Sequence, residues 1–346
     1  MSIATRWLVS PDDRNRFCRA ITSVGAVARQ HSMRLARRAL PLLLSTLPTL
    51  AQAQTAPAVR NWDASARLFA IQDSNAPLAG NGSGFAGSTK GPTYGLAFNG
   101  SKDLHVANRG WRVALVGSAS QTYQSEPALR NFDVASLSGG LSASRNLPLG
   151  SVPSRLTLGY QFSQSWLGGS RFQNGHNANG DLTASIGSRF KLGVSAGVSS
   201  SDFRDDGTQP ASTSRDSRGH NLGVHADLGF NNNRQALSAS LTRQRVNASG
   251  SNFDVDGNTA ALGFRSFIVF PWVVAVNASH STSDYVSYIG IPQRAAKSDN
   301  LSVTLAGPIA RDWSADLTWN ASRYGSNLDA YRTSRQQVMV GLGYKF

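Results

Sequence analysis

The sequence predicts an all-β protein, a transmembrane antiparallel up-and-down β-barrel of about fourteen strands. Three observations carry that expectation. Apolar residues recur at every second position in segment after segment, the period of a strand whose two faces meet different surroundings. The connections between these segments alternate between tight and long. Aromatic residues gather near segment ends, with aliphatic residues between them, the arrangement of a bilayer-spanning barrel rather than of a soluble sandwich or jelly roll.

The first predicted strand covers residues 62–71, with Ala64, Ala66, Leu68 and Ala70 on one face, before a Gly-rich stretch over 72–91. Tyr94, Leu96 and Phe98 alternate next, then Trp111, Val113 and Leu115, running on to Tyr123. Over 131–144 the phase slips: Phe132 and Val134 share one parity, Leu137, Leu141 and Ala143 the other, which predicts a β-bulge. From there the pattern is regular. Leu156 to Phe162, Leu182 to Phe190, Leu192 to Val198, Leu222 to Phe230 and Leu237 to Leu241 each alternate. Leu262 with Phe264, Trp272 to Ala278, Leu301 to Leu305 and Trp313 to Trp319 continue the series, and Val338, Val340, Leu342, Tyr344 and Phe346 complete it. A strand length of roughly ten residues matches a tilted bilayer crossing.

Tight connections are expected at 188–191, 231–234, 268–271 and 307–311, and longer polar ones at 168–177, 202–217, 248–256, 287–296 and 325–333. With short turns in the periplasm and long loops outside, an even strand count puts both termini of the barrel in the periplasm. One aromatic girdle is expected at the turn ends (Phe98, Trp111, Phe190, Phe230, Phe267, Trp272, Trp313, Tyr344, Phe346) and another at the loop ends (Tyr123, Trp166, Phe203, Tyr285, Tyr324).

Ahead of the barrel, residues 1–53 divide into an upstream extension and a signal peptide. From Met33, a basic segment with Arg34, Arg37 and Arg38 leads into an apolar run too short to span a bilayer, and then into Ala51-Gln52-Ala53. This order predicts cleavage after Ala53, with a short periplasmic lead-in over 54–61 and the barrel over 62–346. Residues 1–32 lack the pattern, and Met33 is the preferred start, with a long n-region or a short helix as the other reading.

Composition narrows the functional classes. Glu occurs once, at Glu126, and Gly, Ser and Asn are abundant, which disfavours long surface helices. The formal charge of +14 is scattered rather than gathered in a patch or stripe, which argues against nucleic acid. The one cysteine, Cys18, precedes the expected cleavage site, so the mature chain has no means of building a disulfide or thiolate metal site.

The face opposite the aliphatic one is expected to line the lumen. It carries small polar residues such as Thr157, Gln161, Ser240 and Asn320, with isolated charges. Candidate lumen-lining residues are Arg112, Arg155, Asp181, Arg189, His225, Asp227 and Asp316, with Arg265 of the same kind. Such a wall suits a hydrated passage, unless loops fold inward and close it. An outer-membrane hydrolase would need a Ser–His–acid device. His225 and Asp227 share the lumenal parity, but both also fit an ordinary polar wall, so no enzyme is expected. His176 and His220 lie in or beside loops without metal-ligand spacing. Gly341-Leu342-Gly343 lies within a strand and opens no helix, unlike a dinucleotide site, and Asp202 to Gly207 lacks the pattern of a calcium loop. No metal or cofactor is expected.

Two resemblances add to this. The ending, with alternating apolar residues, Tyr344 and a final Phe346, resembles the signal by which bacterial outer-membrane barrels engage their assembly machinery. It implies outer-membrane lipids and lipopolysaccharide as surroundings. The segment from Trp62 to Pro77, with Asp73-Ser74-Asn75 and the Gly-rich stretch beyond, resembles the C-terminal barrels of surface lipoprotein assembly modifier proteins. That family's fourteen-stranded barrel moves lipoproteins to the cell surface. The resemblance implies an export pore for a lipoprotein or polymer, although the family's periplasmic repeat domain has no counterpart in residues 54–61. A general diffusion porin and a structural or receptor-like surface barrel are the alternatives.

Overall fold

The computed structural model describes residues 62–75, 91–104, 110–204, 214–290 and 292–346. The expected signal peptide, its cleavage site, the 54–61 lead-in, most of the Gly-rich stretch after the first strand, His105 and part of the Asp-rich loop lie outside the described residues.

Fourteen strands form one closed antiparallel barrel: β1 (Trp62–Asp73), β2 (Gly91–Leu104), β3 (Trp111–Gln124), β4 (Val134–Leu149), β5 (Val152–Leu167), β6 (Ser170–Ile186), β7 (Phe190–Phe203), β8 (Ser217–Phe230), β9 (Gln235–Ala248), β10 (Val255–Val269), β11 (Trp272–Asp284), β12 (Ala295–Pro308), β13 (Trp313–Ser326) and β14 (Thr333–Lys345). Each strand pairs with its sequence neighbours, and β1 pairs with β14. The even count lets the first and last strands meet antiparallel, so no edge is left open.

The period-2 pattern survives the whole circuit. Leu68 lies opposite both Leu96 and Leu342, and the register passes this parity from strand to strand. Leu222, Leu241, Leu262 and Val340, at 65%, 61%, 61% and 57% exposure, all belong to the outward set. Among the described residues that face has nothing to pack against, and it suits a low-dielectric solvent.

Turn chemistry explains the tight end. Between β8 and β9, Asn231, Asn232 and Asn233 have φ of 50°, 54° and 63°, the left-handed region that asparagine tolerates best after glycine. The connections 150–151, 187–189, 231–234, 270–271 and 309–312 all fall at this end. The opposite end carries the connections after β1, β3, β5, β7, β9, β11 and β13.

Several expectations are corrected. The strands run 12 to 17 residues rather than about ten, so they continue beyond the aliphatic band. The segment 168–177 is not a loop: Gly168 and Gly169, at φ 57° and 85°, form a two-residue turn, and Ser170 onward pairs with β5. The predicted bulge over 131–144 is absent. Phe132 belongs to the 3-10 turn Pro127–Phe132, and β4 pairs without a register shift from Val134 on. The register shift of this region is instead opposite Ser165 and Trp166 of β5, where Phe172 is the extra residue on β6. Phe203, Phe267 and Tyr324 carry the inward parity, Tyr324 opposite Ser298 and Thr333, and so do not join the outer girdles.

Candidate functional site: the lumenal wall

The inward positions are mostly polar or glycine, interrupted by apolar residues such as Phe69, Ile71, Val116, Ala261 and Met339. Their side chains lie flat because glycines sit beneath several of them. His225 of β8 rests over Gly193 of β7, whose missing Cβ leaves room for the ring. The ring thereby reaches β6, where its Nδ1 lies 3.6 Å from Asp181 Oδ2 and its Nε2 lies 3.4 Å from Thr183 Oγ1. Thr183 Oγ1 donates to Asp181 Oδ1 at 2.7 Å, which holds the carboxylate in place. Asp227 continues the same row and borders a recess of about 480 Å³ with Ser238, Ser240, Asn277, Ser279, Asn300 and Ser302.

A second group closes the circle. Arg67 of β1 reaches across β14 to Asp316 of β13, its Nε donating to Oδ1 at 2.9 Å and its Nη2 meeting Oδ2. The guanidinium and carboxylate pass over Gly341, where an added Cβ would lie 2.5 Å from both groups. At the loop end, Asp73 is 2% exposed. Its carboxylate accepts from Arg335 Nε at 2.9 Å, from Gln337 Nε2 at 3.0 Å and from the Asn75 amide at 2.9 Å. Asn75 Nδ2 donates to Thr333 Oγ1 at 2.7 Å, and the Gln336 amide donates to Ser74 Oγ at 2.7 Å. Lys345 and Asp63 pair at 3.1 Å at the turn end. The Asp73-Ser74-Asn75 motif thus ties β1 to β14.

Beside this seam the loop after β3 folds inward. Its 3-10 turn covers the inward-facing Gly91, and Leu129 is 0% exposed beneath it. Asp133, just after that turn, takes the Gln124 amide at 2.6 Å, and burial pushes its carboxyl above the usual range, against the lowering by that bond and by Arg130.

The other candidate residues fall as follows. Arg112 is inward and highly exposed, 3.5 Å from Asp103. Arg155 is inward and donates to Ser144 Oγ at 2.8 Å. Arg265 has the inward parity on β10, opposite Ala236 and Ala275. Arg189 is not a wall residue: it lies in the turn 187–189, where its carbonyl accepts the Gly229 amide at 2.7 Å. His176 and His220 sit within β6 and β8 rather than in loops, both on the outward parity, and His176 Nδ1 lies 2.8 Å from the Tyr160 hydroxyl. Tyr344 faces outward with its ring 4.9 Å from Trp313 and 5.0 Å from Phe346. The Phe346 amide donates to Ala64 O at 3.0 Å, so the last residue is part of the seam.

Sequence reasoning missed Arg67, Asp73 and Arg335 as partners. The available signal was the pair of inward glycines, Gly341 and Gly343, which leave a gap for a long side chain from the neighbouring strand.

No protein-family model and no curated protein matches the sequence. Among solved structures, the chain is similar to OmpTdeltaL8, a loop-deletion mutant of an outer membrane protein of Vibrio cholerae, at 8% identity and a TM-score of 0.45, covering 82% of this chain and 99% of that one. It is also similar to OccAB3 of Acinetobacter baumannii, at 7% identity and a TM-score of 0.45 over 83% and 99% of the two chains. An anion-selective porin from Comamonas acidovorans gives 11% identity and a TM-score of 0.43 over 82% and 98%. Such distant likenesses say nothing of what this chain conducts or binds.

Proposed function

We propose that this protein is an outer-membrane pore through which small polar solutes diffuse. The observation that carries this reading is the inner wall: a closed circle of mostly hydroxyl, amide and glycine positions, of a kind water solvates readily, inside an outward face of aliphatic side chains. The tight turns and both barrel termini belong in the periplasm, and the longer loops outside. Tyr344 and Phe346 act as the recognition element for the barrel-assembly machinery. The recess beside His225 and Asp227 is lined by neutral side chains over most of its area, which favours uncharged polar solutes over ions of one sign.

A role in moving a lipoprotein or polymer rests on the opening-strand resemblance alone. The Asp73-Ser74-Asn75 part of that resemblance has a structural use in joining β1 to β14, which weakens it as a mark of export.

Purified protein reconstituted in planar bilayers tests the pore. Steady, ohmic openings with weak ion selectivity, and sugar-driven swelling of loaded liposomes, are the expected results. A barrel that inserts yet stays closed until a periplasmic partner or lipoprotein is added overturns free diffusion in favour of export. Fractionation as a soluble protein, without heat-modifiable gel mobility, overturns the membrane reading itself.

A further inference from the structure

Beyond the aliphatic band, the outward face changes character on one side of the barrel. On β8 the outward series Phe230, Leu228, Ala226, Val224 and Leu222 continues into His220 and Arg218. On β9 the series Leu237, Ala239 and Leu241 continues into Arg243 and Arg245. The register sets His220 opposite Arg245 and Leu222 opposite Arg243, which places the cations on adjacent strands at the loop end of the band. All four side chains are exposed.

Their partners leave charge to spare. Arg243 pairs with Asp256 at 2.9 Å. Arg245 lies opposite Asp256 in the β9–β10 register, but that carboxylate is bonded by Arg243, and the Arg245 Nε donates to the neutral Asn247 Oδ1 at 3.3 Å. Arg218 lies opposite Ser200 and Asn247, and the nearest outward carboxylate on β7, Asp202, stands one outward position further toward the loop. On β1, β2, β3 and β5 the corresponding outward positions are uncharged (Gln72, Pro92, Gln121, Tyr123, Gln164 and Trp166), whereas β10 to β13 carry both signs there, with Asp256, Asp284, Lys297, Asp299 and Arg323.

Next to the cations, a groove of about 420 Å³ crosses the outward face, lined by Tyr160, His176, Val198, Arg218 and His220. Its apolar floor belongs to the aliphatic band and its rim is cationic. That order suits a molecule with acyl chains below and phosphate above. A guanidinium beside the low-dielectric bilayer binds phosphate more strongly than one in open water, and does so in a bidentate manner. Three guanidiniums spread over two strands exceed what a single phosphodiester headgroup engages.

We infer that this sector of β6 to β9 binds lipopolysaccharide of the outer leaflet, with Arg218 and Arg245 on the phosphates of its lipid A. The inference rests on the outer-membrane placement proposed above but not on conduction.

The test measures binding of diphosphorylated lipid A to the refolded protein in detergent, by native mass spectrometry and by the shift of its thermal unfolding. Monophosphorylated lipid A, phosphatidylglycerol and free pyrophosphate are the comparison ligands. The wild type should prefer diphosphorylated lipid A. Arg218→Gln with Arg245→Gln should weaken that binding by about tenfold, and the corresponding double Lys variant should retain part of it. Gln121→Ala on the uncharged side should change nothing. Equal binding by wild type and the Gln variant, or equal shifts with phosphatidylglycerol or pyrophosphate, overturns the site. Those outcomes in a protein that inserts and is heat-modifiable leave the membrane reading standing, whereas failure to insert removes it.

Discussion

Around β13, β14 and β1 the inner wall is held by ion pairs, whereas from β8 to β12 it consists mainly of hydroxyls and amides that bond to near neighbours. Arg67 with Asp316, and Arg335 with Asp73, join residues separated by 249 and 262 positions. The neutral sector is built from contacts such as Thr259 with Ser281 at 2.9 Å and Asn277 with Ser302 at 3.5 Å, between strands joined by a single turn or loop. The difference follows from connectivity. A hairpin turn sets the register of its two strands, and a neutral wall then suffices. No turn joins β1 to β14, so the closing pair needs side chains that favour one register over a slip of two residues. Charged groups do this well, because each is costly when left half-buried without its partner.

The largest effect expected on this contrast comes from Gly341→Leu. The added side chain occupies the space of the Arg67–Asp316 pair, so the barrel should fail to close, read as loss of the heat-modifiable band after refolding. Gly263→Ala in the neutral sector, which meets only the side chains of Ser238 and Asn277, should refold.

Arg335→Leu should be next in size. It strips the main cation from a carboxylate that is 2% exposed, and a loss of about 2 kcal/mol is expected in urea unfolding. A loss under a few tenths would mean that Gln337 and the Asn75 amide satisfy Asp73 without help.

For Arg67 and Asp316, at 17% and 19% side-chain exposure, each single substitution to Leu or Met should cost about 1 kcal/mol, discounted for lumenal water. The double variant should lie closer to wild type than either single. Additive losses in that cycle would show that the two charges do not act as a pair. Ser240→Ala in the neutral wall should stay within about 0.5 kcal/mol of wild type.

The smallest effect concerns the inward-folded loop. The Asp133 carboxyl is raised by burial, so the folded state holds its proton more tightly than the unfolded chain. Its contribution is fully present below the ordinary Asp range and is lost as pH rises through the higher folded value. Asp133→Asn should therefore remove this pH dependence and slightly slow amide exchange over 125–133 at neutral pH. An unchanged exchange profile across that pH range would rule the carboxyl out as its source.

Of the candidate wall residues, Arg112, Arg155, Asp181, His225, Asp227 and Asp316 share in the strand register the parity that their sequence positions imply. Arg189 does not, since parity loses its meaning inside a turn. The bulge inferred around Phe132 failed for a related reason: a short 3-10 turn before β4 supplies the same phase change without altering any strand. The stretch 168–177 resembled a loop in composition, yet two glycines at positive φ turned it into a hairpin.

By itself the sequence determined that the chain is a barrel with an aliphatic outer face, a mostly polar inner face and connections that alternate in length except at 168–169, because alternation and turn chemistry are local properties. Tertiary structure alone decided which charges meet. The pairing of Arg67 with Asp316 over Gly341, the burial of Asp73 and the seating of Leu129 over Gly91 depend on the register of strands far apart in sequence, and that register exists only once the circle is closed.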